Sequence, residues 1–117
     1  MNFIRSFIVA CRGFAVAVRE ERNMKIHLAA AFIVIALGFY FNISQTEWSV
    51  LLVVIGLVVC TELINTSIEN LTDLVSKEKQ PLSGKVKDIA AAAVLFISFI
   101  SVIVGLIIFT KYFKALL

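Results

Sequence analysis

The sequence predicts an all-α membrane protein, with three transmembrane helices and an N-terminal amphipathic surface helix in a single domain over residues 1–117. Four observations carry that expectation. Apolar residues make up 61% of the chain, well above the roughly 45–50% of soluble globular domains. Mean hydropathy is +0.99, and the length accommodates three spans of about 20 residues each. The Lys and Arg residues fall in blocks separated by long uncharged runs.

Residues 1–25 form the surface helix. Arg5, Arg12 and Arg19 recur every seven residues, while Phe3, Ile4, Phe7, Ile8, Cys11, Phe14, Ala15 and Val18 recur at helical spacing. Such a stripe lies in the membrane interface with its arginines reaching to the headgroups. The long apolar run begins only near Ile26 and two more follow, so this segment is read as retained and not as a cleaved signal peptide.

The spans follow at about 27–41, 48–64 and 89–110. The first, HLAAAFIVIALGFYF, ends at the polar corner NISQTEW, and the third is uncharged throughout. Tyr40, Trp48 and Tyr112 fall at span ends, where amphipathic rings favour the headgroup level. Ser83 or Gly84 is the expected start of the helix carrying the third span. Cys11 and Cys60 have neither disulfide nor metal spacing and are read as small buried hydrophobes.

Basic residues orient the spans. Arg5, Arg12, Arg19, Arg22 and Lys25 precede the first, and Lys77, Lys79, Lys85 and Lys87 lie between the second and third. The loop between the first two spans has none, and Lys111 and Lys114 end the chain. The positive-inside rule then puts the N-terminus and the second loop in the cytoplasm. Of the acids only Glu47 falls outside. Glu20, Glu21, Glu62, Glu69, Asp73, Glu78 and Asp88 gather on or just within the cytoplasmic side.

The stretch ELINTSIENLTDLV, residues 62–75, is the most informative. It continues the second span without a break signal, yet carries Glu62, Asn65, Glu69 and Asp73, and intramembrane carboxylates are costly. On one helix running to about Val75 these four share an arc of about 80°. Three acids along one ridge repel one another unless cations sit between them. Mg²⁺ takes one or two carboxylates together with phosphate oxygens, so the ridge suits Mg²⁺ and a phosphorylated ligand. Pairing with Arg22, Lys25, Lys85 or Lys87 is the structural alternative. Lys87 and Asp88 open the third span, where helix N–H groups and lysine can attract phosphate. His27, the sole histidine, sits at the span boundary, where a packing or interfacial role is expected over proton transfer. No G-x-x-x-x-G-K-[ST] loop is present, because Gly84-Lys85 is followed by valine.

These residues resemble a known family, the small bacterial integral-membrane lipid kinases that comprise prokaryotic diacylglycerol kinase and undecaprenol kinase. ELINTSIENLTDLV matches the pattern E-x-x-N-[ST]-[AS]-I-E-x-x-x-D, and SGKVKDIAAAAVL matches S-G-x-x-K-D-x-[AG]-[AS]-A-A-V-L. ERNMKIH, at the first-span boundary, is a third block and looks more like the undecaprenol kinase branch. The resemblance implies a homotrimer in the bacterial inner membrane that transfers the ATP γ-phosphoryl group to a lipid alcohol. The acceptor is undecaprenol or diacylglycerol, and the site faces the cytoplasm. By position Glu62 resembles the general base, and Glu21 and Glu69 the magnesium-binding pair. Asn65, Asp73, Lys87 and Asp88 match the other polar residues of the ATP site, and Glu20 is the neighbouring alternative to Glu21. No nucleic-acid partner is expected. The competing reading from the residues alone is a small ion-coupled transporter, since intramembrane acids also mark ion pathways.

Overall fold

Four helices follow one another: α1 (Phe3–Glu20), α2 (Arg22–Phe41), α3 (Gln45–Val75) and α4 (Pro81–Leu116). The structure, a computed structural model, describes residues 2–78 and 80–117. Lys79, counted above with the loop cations, lies outside the described residues.

Local chemistry sets the helix ends. The Asn2 side chain accepts from the Arg5 N–H and caps α1. Asn42 closes α2 in the left-handed region, at φ 51°, a conformation that Asn tolerates better than most residues. Ser44 then opens α3 with a reciprocal cap: its hydroxyl accepts from the Glu47 N–H, and its own N–H donates to Glu47 Oε1. Pro81 starts α4, where its missing N–H costs nothing.

Three of these helices, α2, α3 and α4, are long and apolar enough to cross a membrane. The 31 residues of α3 make a rod of about 46 Å, longer than the roughly 30 Å of a hydrocarbon core. Its last turns, with Glu69 and Asp73, therefore project past the apolar layer. Helices α3 and α4 run antiparallel and are tied at both ends. At one end Lys87 Nζ meets Asp73 Oδ1 at 2.5 Å. At the other, Glu47 accepts from Tyr112 Oη at 2.5 Å and pairs with Lys111 at 2.9 Å.

The small core sits toward the Glu47 end, around Ile43, Leu51, Ile108 and Phe109. Phe41 stacks on Tyr112 there, with ring centroids 5.5 Å apart. Gly38 is needed for this packing, because a Cβ in its place would lie 2.7 Å from Trp48 Cη2.

Three expectations are corrected. Residues 1–25 are not one helix: α1 stops at Glu20, Glu21 is extended, and residues 22–25 belong to α2. Continuing α1 would place Glu20 and Glu21 against the negative end of its dipole, whereas after the break Glu21 precedes the positive end of α2. Helix α4 begins at Pro81, ahead of Ser83 and Gly84. Cys11 and Cys60 are exposed on the single chain. Their apolar neighbourhood reflects faces suited to lipid or to another membrane helix, and so does not imply burial within the chain.

Candidate active site

The ridge forms on α3 as its spacing requires, and its members differ in surroundings. Glu62 is completely buried, and Asn65 and the adjoining Thr66 are each 5% exposed. Glu69 is half-buried and Asp73 exposed. Asn65 Nδ2 donates to Glu69 Oε1 at 2.9 Å, one turn away. Thr66 turns its hydroxyl back onto the Glu62 carbonyl at 3.0 Å, which leaves the Glu62 side chain to other partners.

Those partners are absent among the described residues. Neither carboxylate oxygen of Glu62 has a hydrogen bond, and the same holds for Asn65 Oδ1. A buried carboxylate left so costs several kcal/mol. The nearest basic side chain is His27 of α2, whose Nε2 lies 3.6 Å from Glu62 Oε2. Around them opens a cleft of about 280 Å³ between α2, α3 and α4, lined by Asn23, His27, Glu62, Asn65, Glu69 and Ser98 among others. Apolar residues, Ile26 of α2 with Ala91, Val94 and Leu95 of α4, form its remaining wall. An acid, an amide and a second acid therefore face a space bounded partly by polar and partly by apolar groups.

Glu21 reaches this group from the α1–α2 junction. Burial pushes its carboxyl above the ordinary range, and the neighbouring Glu69 and Glu20 carboxylates push it further up. Glu21 is half-buried and Glu20 exposed, so of the two candidates Glu21 is the one turned toward the ridge. A raised carboxyl favours the protonated folded chain. Between the ordinary value and the raised one the folded state binds more protons than the unfolded. Stability therefore falls as pH rises through that window and stays lower above it. Glu21→Gln is expected to remove this slope and to raise the thermal midpoint at neutral pH in chelator-containing buffer. Circular dichroism melts from acid to neutral pH check it, and an unchanged or lower midpoint would show that Glu21 is not repelled in the fold.

Asp73 and Lys87 pair with each other, as the structural alternative allowed, and line a second cleft of about 440 Å³ with Ser76, Ser83 and Gly84. This cleft adjoins the end of α3 beyond Glu69. Asp88 is exposed on α4, and no ion pair joins it to the described residues. The structure thus brings Glu21, Glu62, Asn65 and Glu69 together, sets Asp73 and Lys87 beside them, and leaves Asp88 apart. The contact that sequence reasoning missed is His27 on Glu62. Asn23 and His27 are four residues apart, hence on one helical face, and that spacing was the available signal.

The family model for prokaryotic diacylglycerol kinase matches residues 8–109. The chain belongs to the prokaryotic diacylglycerol kinase family. It is similar to the undecaprenol kinase of Bacillus subtilis (strain 168), at 42% identity over 92% of this chain and 88% of that protein. It is also 34% identical to a diacylglycerol kinase of Synechocystis sp., over 89% of this chain and 60% of that one. A diacylglycerol kinase of Helicobacter pylori (strain J99) is 35% identical over 87% and 80% of the two chains. Membership makes this membrane-embedded chain a lipid kinase, a phosphotransferase of lipid metabolism.

Proposed function

We propose that the chain transfers the γ-phosphoryl group of ATP to the hydroxyl of a membrane lipid alcohol, with undecaprenol preferred over diacylglycerol. The observation that carries this reading is Glu62: a fully buried carboxylate with no hydrogen-bond partner, at the membrane end of a ridge that continues through Asn65 to Glu69. Such a group has an unused acceptor for the proton of an incoming alcohol. The order of acceptors rests on the higher identity to the undecaprenol kinase.

In this reading Glu62 takes the hydroxyl proton of the lipid. The hydroxyl oxygen then bonds to the γ-phosphorus, the bond from that phosphorus to the bridging oxygen breaks, and ADP leaves. Asn65 holds Glu69 in place through its amide. The Lys87–Asp73 pair, at the outer end of the ridge, offers an ammonium to phosphate oxygens, and Asp88 is assigned to the rim of the ATP site. Glu21 and Glu69 fit Mg²⁺: they are neighbouring carboxylates that repel each other, and Asn65 steadies one of them. Two carboxylates plus phosphate oxygens and water is the set that Mg²⁺ takes beside a nucleotide. When bound it supplies neutralisation of phosphate charge, the main demand of phosphoryl transfer.

In this reading the site lies on the cytoplasmic side of the bacterial inner membrane, an orientation that the basic N-terminus and second loop support. The assembly is a homotrimer, in which a neighbouring subunit covers part of the apolar surface that a single chain leaves open. A transporter reading gains no support, since the acids of the α3 ridge lie toward one membrane face and the relatives are kinases.

The acceptor is tested by incubating purified protein with Mg²⁺ and γ-labelled ATP, offering undecaprenol and diacylglycerol at equal mole fraction in one detergent. Undecaprenol is expected to label faster. Equal or faster labelling of diacylglycerol would reverse the acceptor order, and failure to label either lipid would remove the kinase assignment.

A further inference from the structure

His27 has two neighbourhoods. It lines the polar cleft that holds Glu62, Asn65 and Glu69, and also a second, apolar cleft along α3 that runs past Val58 and Leu51 to Gly105. It therefore stands where the polar site passes into the interior of the membrane. Its Nε2 is 3.6 Å from Glu62 Oε2, on a side chain 17% exposed that faces one wholly buried. That distance is longer than a hydrogen bond, as catalytic contacts often are before substrate arrives.

The need is on the side of Glu62. Two buried oxygens lack donors, and a carboxylate in that setting swings or takes up a proton unless a donor fixes it. Asn65 donates to Glu69 and Thr66 to the Glu62 carbonyl. From α4, Ser98 lines the same cleft, and its hydroxyl has no partner. The histidine is the side chain within 4 Å from another helix with a ring N–H to give.

We infer that His27 is the positioning residue of Glu62: its Nε2–H takes Oε2, holds the carboxylate plane, and leaves Oε1 for the lipid hydroxyl arriving from the apolar cleft. The inference rests on the proposed role of Glu62 as base. A donor at this point restrains the base without adding to the binding of ATP, so it governs turnover more than nucleotide affinity.

The test compares His27→Gln, which keeps a donor, with His27→Phe, which keeps bulk and loses it. His27→Phe is expected to lower kcat about 10- to 100-fold, the scale known for hydrogen bonds that orient metal-ligating side chains, with KM for Mg-ATP unchanged. His27→Gln is expected to recover most of that loss. In a Glu62→Gln background His27→Phe should add little, because the carboxylate it orients is gone. Full activity of His27→Phe overturns the inference, and so does an equal loss in both variants. Should His27→Phe fail to fold, the ¹⁵N signals of the wild-type imidazole answer instead: they are expected to move in Glu62→Gln, and unmoved signals overturn the contact. An inactive wild type would strike the kinase reading itself, whereas the imidazole signals report the His27–Glu62 contact whatever the activity.

Discussion

Glu62→Gln is expected to lower kcat for lipid phosphorylation by about 10²- to 10⁴-fold, the range that a positioned general base contributes. The substitution preserves shape, so the loss isolates the carboxylate. Glu62 is wholly buried and its oxygens have no hydrogen-bond partner, so the folded protein gives up a costly buried charge when the side chain becomes an amide. The variant should then melt no lower than wild type while losing turnover, and KM for Mg-ATP should change little. Steady-state kinetics with a melting curve check both halves. A Glu62→Gln enzyme turning over at the wild-type rate removes Glu62 from the base role, and a large rise in KM for Mg-ATP moves it into the nucleotide site.

Glu69→Gln is expected to lower kcat/KM for Mg-ATP by about 10²-fold or more. That is the loss of about 3 kcal/mol of charge stabilisation. The fold gives a reason to expect intact structure, because the amide oxygen of Gln can still accept from Asn65 Nδ2 in place of Glu69 Oε1. What vanishes is a negative charge beside Glu21. Raising Mg²⁺ should recover part of the activity, since a weakened site still fills at higher concentration. Titration of activity against Mg²⁺ at fixed ATP reads this directly. An unchanged Mg²⁺ dependence would assign Glu69 to helix packing alone.

Much of this was legible in residue spacing. Glu62, Asn65, Glu69 and Asp73 fall on one helix face whatever surrounds them, and α3 ends at Val75 as that reading expected. Periodicity along one helix is a local property. The contacts between helices were harder to see. His27 meets Glu62 across 35 positions of sequence, and the crossing of α2 on α3 that brings them together is set by close packing elsewhere, including the indole of Trp48 on Gly38. The break at Glu21 escaped because no Gly or Pro marks it. Two adjacent carboxylates at a helix end carry the signal electrostatically, and apolar periodicity does not register it. The exposure of Cys11 and Cys60 was missed for a further reason. In a membrane chain, apolar sequence does not distinguish a residue facing its own core from one facing outward.

The proposed reaction of the α3 ridge is phosphoryl transfer to a lipid. Its most direct test follows the label from γ-³²P ATP into undecaprenol, with purified wild type and Glu69→Gln side by side at matched helical content and oligomer size. Labelled lipid is expected from wild type, and about a hundredth of that rate, or less, from the variant at sub-saturating Mg-ATP. Equal labelling by both proteins would contradict it.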